Sequence, residues 1–399
     1  MREQDSEGEW GRVKEALRRE RARVLVAPDK FKGTLEAGEV AEVMAAAVRR
    51  FNPSAQVRMA PLADGGEGTA AAMARLMGLR PRVFEGHDAL MRPCRVVYYT
   101  GGEEVCAVDA AAFVGLTMMG EEREPWRLTS WPVGEFVGAT LELGYGKVCV
   151  AVGGTATVDG GAGMLQALGY RFYDRGGRLM PVPLLPWMLC EIGRVEAPEK
   201  WAPKGRLVAL VDVDVPLVPG GIEDDSEGET DGGAGEMSSL SFARQKGMRE
   251  SDMEALAAGL RRYASAVPKT DASAPGQGAG GGIGFALGAV AGAEVRMGAA
   301  SLMDMARLFD EPYDLVVTGE GAFDSQSLEG KLTGTLIARA CRAGTPVLVV
   351  AGVADRETGN GKCAEDVAVL TTTPFLPADA PLTHASALAS LESALEKFF

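Results

Sequence analysis

The chain is short of the residues on which several familiar chemistries depend. Only two histidines, His87 and His384, occur in 399 residues, and they stand far apart. That scarcity argues against a His-rich zinc site and against a Ser-His-Asp triad. Six cysteines are spread thinly with no CxxC pair, and Cys106 and Cys149 sit inside apolar runs. This is the usage of reduced, mostly buried thiols, as expected of a cytoplasmic protein. No apolar run approaches the ~18 residues of a membrane span, so no membrane partner is expected. Residues 1–23 are charged with both signs mixed and lack the apolar core of a signal peptide. Basic residues are in deficit, for a net charge of −14. Nucleic acid is therefore disfavoured as a partner, because neutralising a phosphate backbone needs a basic face. Small phosphorylated ligands need only local positive groups and stay open. A Walker A motif is missing too: Gly330-Lys331 lacks the upstream glycine at the required distance and the following Ser or Thr.

What the chain does have is glycine. There are 52, well above the usual ~7%, and they cluster in loops behind apolar runs rather than in a repeat. With 46% hydrophobic residues over this length, a soluble globular protein of two domains is expected. The pattern is clearest at Val148 to Gly163. Val148 to Val152 reads as a buried strand, and it runs into Gly153-Gly154, Thr155, Thr157, Asp159 and Gly160-Gly161 before a helix from Met164. In an open α/β sheet this is where backbone N–H groups and a helix N-terminus receive an anion. A tight βα connection with nothing bound would show the same glycines.

The same construction recurs. The strand Val24 to Ala27 leads into Asp29, Lys30 and Lys32, then an amphipathic helix through Val40, Met44, Val48 and Phe51. Two lysines with a carboxylate suit an anionic or Mg-bound phosphate ligand, or a solvated charged turn. Gln56 to Ala60 leads into Asp64, Gly65, Gly66 and Glu67, followed by an alanine-rich helix to Met77. Asp314 to Val317 leads into Glu320, Asp324 and Lys331, whose two carboxylates and lysine suit Mg-ATP.

From Pro81 the texture changes to short strands, Cys94 to Thr100 and Glu104 to Asp109, joined by a Gly101-Gly102 hairpin. Helical pattern returns at Val133 to Leu143 and near Met248 to Tyr263. Gly220 to Ser239 is acidic and glycine-rich and reads as a disordered loop. Residues 1–23 read as an accessory extension with a short solvent-exposed helix through Val13, Ala16 and Leu17.

Six ordered blocks carry a resemblance. They are APDKFKGT (Ala27 to Thr34), PLADGGEGT (Pro61 to Thr69), GGTATVDGGAGMLQALG (Gly153 to Gly169), QKG (Gln245 to Gly247), PGQGAGGGIG (Pro275 to Gly284) and VVTGEGAFDSQSLEGK (Val316 to Lys331). Together they resemble the bacterial glycerate kinase family, the type unrelated to P-loop kinases. The resemblance implies ATP-dependent phosphorylation of D-glycerate to 2-phosphoglycerate with Mg²⁺, and it leaves room for a homodimer. It implies an α/β fold of two interleaved domains: a flavodoxin-like parallel sheet with helices on both faces, and an inserted mixed α/β domain. The expected boundaries are 24–80 with 285–399 for the first and 81–284 for the second.

On this resemblance Asp29, Lys30, Lys32, Asp64 and Asp159 are the expected catalytic residues, with Asp29 or Asp159 accepting the substrate proton. Asp64, Glu320 and Asp324 are the expected metal ligands. Gly65, Gly66, Glu67, Gly153, Gly154, Thr155, Gly160, Gly161, Lys246, Gly280, Gly281 and Lys331 are the expected substrate and phosphate contacts. The chain departs from the family's usual residues at Val158 and Val215, where Asn is usual, and at Ala322, where Arg is usual. A further departure is Trp131-Pro132-Val133-Gly134-Glu135, where a Gly-Thr-Gly-Glu sequence is usual. A related sugar-acid kinase, or an inactive nucleotide- or anion-binding homologue, are the alternatives.

Overall fold

The computed structural model describes residues 10–31, 33–120, 124–201, 203, 205–219, 237–328, 331–355, 366–376 and 381–399. Lys32 and most of the acidic loop, 220–236, lie outside the described residues. The strands in chain order are β1 (Arg23–Val26), β2 (Gln56–Met59), β3 (Arg80–His87), β4 (Pro93–Gly101), β5 (Val105–Asp109), β6 (Lys147–Ala151) and β7 (Arg171–Asp174). They continue with β8 (Ile192–Glu196), β9 (Leu207–Val211), β10 (Glu294–Met297), β11 (Leu315–Phe323), β12 (Val347–Ala354) and β13 (Val367–Thr371). The fold is α/β and falls into two compact units, Met1–Asp64 with Leu302–Phe399, and Gly65–Ser301.

The first unit is a five-stranded sheet in the order β13-β12-β11-β1-β2, with every pair parallel. Taken in chain order within the unit, the second strand lies outside the first, and the third to fifth follow on the other side. That is the flavodoxin-like arrangement, whose direction of winding reverses between β1 and β11. The inner strands are continuous apolar runs because both faces are covered. Val24, Val26, Leu315, Val317, Leu348 and Val350 share one core with the helices Ala37–Phe51 and His384–Phe398. The helix Leu332–Arg342 packs on β11 and β12 and buries Leu332, Leu336 and Ile337.

The N-terminal segment corrects the sequence expectation. Its helix, Gly11–Arg18, is not a solvent-exposed appendage: Val13, Ala16 and Leu17 are buried in that same core. The i, i+3, i+4 spacing of those three side chains is a core-facing stripe, and the charged remainder of the helix had masked it.

The second unit holds a six-stranded sheet in the order β10-β9-β6-β5-β4-β3. β5, β6, β9 and β10 run parallel, and the β3–β4 and β4–β5 pairs are antiparallel. β4 and β5 form the expected hairpin, with Gly102 at φ 64° in its turn. β7 and β8 pair separately as an antiparallel ribbon. Contacts put the unit boundaries at 64/65 and 301/302, against the expected 80/81 and 284/285. The helix Thr69–Met77 packs on β4 and β5, and β10 pairs with β9, so both belong with the middle segment.

If the N-terminal helix is core, Leu17→Ala leaves a cavity and lowers stability by about 2–4 kcal/mol. Urea unfolding measures this. An unchanged midpoint would return the helix to the status of an appendage.

Candidate functional site

In the first unit the site grows out of strand register. β1 lies between β2 and β11; β1 and β2 end side by side, while β11 runs on past them to Phe323, so Glu320 within β11 stands beside the residues that follow β1. The ladder continues past β1: Ala27 N–H donates to the Val317 carbonyl at 2.8 Å and Asp29 N–H to the Gly319 carbonyl at 2.9 Å. The Thr318 hydroxyl donates to the Ala27 carbonyl at 2.9 Å. Asp29 is thereby fixed at the carboxyl end of the sheet, at the winding reversal where such folds take ligands.

Asp29, Lys30, Asp64, Glu320, Asp324 and Lys331 are all half-buried. Burial is the main reason the Asp29 carboxyl rises from its ordinary 3.8 to about 7. The Asp64 carboxylate adds to the rise and Glu320 adds a little more, against the Lys30 amide and ammonium. That amide donates to Asp29 Oδ1 at 2.7 Å. Glu320 is also pushed upward, first by burial and further by Asp324, while hydrogen bonds to Thr333 and Ser327 and the Lys331 charge oppose the rise. Ser327 and Asp324 close a small turn, with Ser327 N–H on Asp324 Oδ1 at 3.1 Å. Glu320 Oε1 is buried without a hydrogen-bond partner. Sequence reasoning missed Ser327 and Thr333, which hold Glu320. For Ser327 its place in the same block as Glu320 was the available signal; Thr333 lies two residues past that block.

Among the described residues, no three His, Cys, Asp or Glu side chains converge closely enough to hold a metal ion by themselves. Asp64, Glu320 and Asp324 are therefore not a closed ligand triad, because their carboxylates are not gathered on one point.

In the second unit the glycine loops meet at the carboxyl ends of β5, β6 and β9. Asp109, the last residue of β5, accepts from Gly68 N–H at 2.9 Å and Ala70 N–H at 2.8 Å. It thus caps the helix Thr69–Met77 from another strand, a role the sequence reading did not give it. Gly65 N–H donates to the Thr69 hydroxyl at 3.1 Å, and the Gly65 carbonyl accepts from Gly153 N–H at 3.1 Å. Gly65, at φ 114°, presses on the backbone of Val211 and Asp212, where a Cβ would not fit. Gly66 and Gly154 belong to the same packing: a Cβ on Gly153 would reach Gly66, and one on Gly154 would touch Glu67, whose own side is exposed.

Three expectations change here. Asp159 is fully buried, and its oxygens accept from Ser130 N–H at 2.8 Å, the Ser130 hydroxyl at 2.7 Å, and Gly161 and Gly163 N–H at 3.2 Å each. Burial pushes its carboxyl upward against these donors. It serves as a structural cap at the start of the helix Ala162–Ala167. Second, Gly160 N–H is used by the Gly281 carbonyl at 3.1 Å and Gly161 N–H by Asp159, so neither amide is left to cradle an oxyanion. Gly280 and Gly281 likewise allow loop-on-loop packing against Val152 and Thr157. Third, Lys246 is buried rather than presented to a ligand. Its ammonium donates to the Thr157 carbonyl at 2.9 Å and the Thr155 hydroxyl at 3.3 Å. Burial draws it down to about 8, with Asp212 and Asp159 opposing.

The predicted residues thus form two groups, a carboxylate-and-lysine set in one unit and a glycine-loop set in the other. The first can take a proton and attract a cation or phosphate. The second places a helix N-terminus at strand ends.

Comparison with known proteins extends this. Residues 24–398 match the glycerate kinase family. Glycerate 2-kinase of Escherichia coli (strain K12) is 32% identical over 352 residues, 84% of this chain and 87% of that protein. Glycerate kinase of Bacillus subtilis (strain 168) is 31% identical over 348 residues, 84% of this chain and 86% of that protein. A crystal structure from Salmonella typhimurium LT2, provisionally assigned as glycerate kinase 2, aligns with a TM-score of 0.73 at 30% identity. The alignment covers 94% of this chain and 97% of that one. The α/β fold matches that glycerate kinase 2 structure, and the chain is a kinase enzyme. The chain belongs to the glycerate kinase family. No helix among the described residues is long and apolar enough to cross a membrane.

Gly281→Ala tests the packing role of the second group. A Cβ there meets the Thr157 carbonyl and the Lys246 amino group at a positive φ. We expect a stability loss of about 2 kcal/mol or more, read as a lowered thermal midpoint. A parent-like midpoint would leave Gly281 free for ligand contact.

Proposed function

We propose that the protein transfers the terminal phosphoryl group of ATP to the 2-hydroxyl of D-glycerate. The products are 2-phosphoglycerate and ADP. The observation that carries this reading is Asp29, a carboxylate fixed at the winding reversal and poised near neutrality. Phosphoryl transfer asks a protein for positioning and charge stabilisation, together with a group to receive the hydroxyl proton. Asp29 takes that proton as the glycerate oxygen bonds to phosphorus and the bond to ADP breaks. Asp29 suits this better than Asp159, whose oxygens are committed to four donors. Lys30 and Lys331 neutralise phosphate or substrate carboxylate charge.

The residues fit Mg²⁺ carried on the nucleotide. Such an ion needs only one or two carboxylates, water and phosphate oxygens, and Glu320 Oε1 is a buried acceptor with no hydrogen-bond partner. Glu320 would hold it directly, with Asp64 and Asp324 reaching it through water. When bound, the ion offsets the charge that develops on the phosphates. A second reading, a kinase for another hydroxy acid, draws on Val158 and Val215, both apolar and buried. Rates across a panel of hydroxy acids decide between the two.

Asp29→Asn should lower kcat by about 10²-fold or more in a coupled ADP-release assay. The parent's rate should rise with pH through about 7. A near-parent rate in the variant would remove Asp29 from the chemistry.

Stability supplies a separate readout. The folded Asp29 carboxyl keeps its proton up to about 7, against an ordinary 3.8, so its contribution favours folding at acid pH. That contribution is lost as pH rises between those two values. In metal-free buffer Asp29→Asn should therefore match the parent near pH 4 and exceed it near pH 8, by on the order of 1–2 kcal/mol after solvent screening.

A further inference from the structure

Beside the edge strand β13 lies a cleft of about 630 Å³. It belongs to the first unit and takes no part in the carboxylate site. Its walls include Lys14 and Arg18 from the N-terminal helix, Lys397 and Phe398 from the C-terminal helix, Phe375 from the turn after β13, and Trp10. Three cations and three aromatic rings thus converge from three parts of the chain, and the lining contains no carboxylate. This is unexpected on a protein of net charge −14.

The arrangement is ordered. The rings of Trp10 and Phe398 stand 4.5 Å apart at 47°. The Lys14 ammonium sits 5.6 Å from the centre of the Phe398 ring, and the Lys397 ammonium 5.7 Å from that of Phe375. Cation–π contact holds both ammoniums beside ring faces. The cleft is therefore basic at its charged groups and flat and apolar between them. Its volume is that of a site for a small organic ligand.

Half of this chemistry comes from outside the family match. The match begins at residue 24, whereas Trp10, Lys14 and Arg18 precede it. Buried Val13, Ala16 and Leu17 anchor the helix, which leaves its basic side to line the cleft.

We propose that this cleft is an accessory binding site for a ring-bearing phosphorylated compound, of the nucleoside monophosphate class. The planar ring stacks on Trp10 and the phenylalanines, and the phosphate lies among Lys14, Arg18 and Lys397. Phosphate alone forgoes the rings, and a neutral nucleoside forgoes the cations.

The test uses the full chain labelled with 5-fluorotryptophan, the Trp10 resonance being assigned by Trp10→Phe. AMP, adenosine and inorganic phosphate are titrated separately to millimolar concentration. We expect AMP to shift the Trp10 resonance saturably, and adenosine and phosphate each to bind roughly tenfold more weakly or worse. Lys14→Glu with Lys397→Glu should weaken AMP at this resonance by roughly tenfold or more, with ATP-dependent turnover unchanged. Arg18→Glu alone, on an exposed side chain, repeats the test should the double variant fold poorly. No Trp10 shift with AMP, an AMP affinity unaltered by charge reversal, or equal binding of AMP and phosphate would each overturn the proposal. Because the readout is local to Trp10, it stands whether or not glycerate proves to be the substrate.

Discussion

Like charges gathered in half-buried positions repel, and a chain that holds them together must fix them by something stronger than side-chain preference. Here the backbone supplies that constraint. β1 and β2 end in register, β11 runs on to Phe323, and the amide of Asp29 continues the ladder onto Gly319. Asp29 and Asp64 follow the ends of β1 and β2, and Glu320 is held within β11, so strand register sets where all three stand. The sheet cannot relieve their repulsion by moving one of them without breaking hydrogen bonds that belong to the core. Burial first, and the neighbouring carboxylates after it, make Asp29 and Glu320 hold their protons more tightly than free carboxyls, and a bound cation would relieve the same repulsion. Site and sheet are in this sense one structure.

The second unit meets the opposite problem. Its strand ends carry loops that must cross at close range, and side chains would keep them apart. Gly65 against Val211, Gly281 against Thr157 and Gly161 against Ala286 are contacts in which a single Cβ has no room. Where polar groups are trapped by such crossings, they are matched internally. Asp159 caps one helix from within, Asp109 caps another from a neighbouring strand, and Lys246 is spent on Thr155 and Thr157.

The sequence revealed the architecture because parallel strands buried on both faces leave continuous apolar runs, and each run here is followed by a loop of small and charged residues. Val24 to Ala27 and Val148 to Val152 were legible for that reason; the run read as Asp314 to Val317 proved longer, a strand that continues through Glu320 to Phe323. What a glycine does was not legible. A glycine that admits a phosphate and one that admits another loop look the same in one dimension, and Gly160, Gly161, Gly280 and Gly281 proved to be of the second kind. Capping across strands was hidden as well, because Asp109 and its helix lie some forty residues apart. The N-terminal helix was misread because only one narrow stripe of a charged segment faces the core.

Two carboxylates in this protein are raised by burial, and the difference between them shows what burial alone does not decide. Asp159 has amide and hydroxyl donors on both oxygens, so its charge is solvated by the protein itself and its proton has no task. Asp29 receives the Lys30 amide on one oxygen and sits beside two other acids. Burial and the Asp64 and Glu320 charges raise its carboxyl to about 7, against the Lys30 amide and ammonium. Depth alone therefore does not tell the two apart: Asp159 has its oxygens committed to four donors around a helix start, whereas Asp29 stands at the end of β1 beside Asp64 and Glu320.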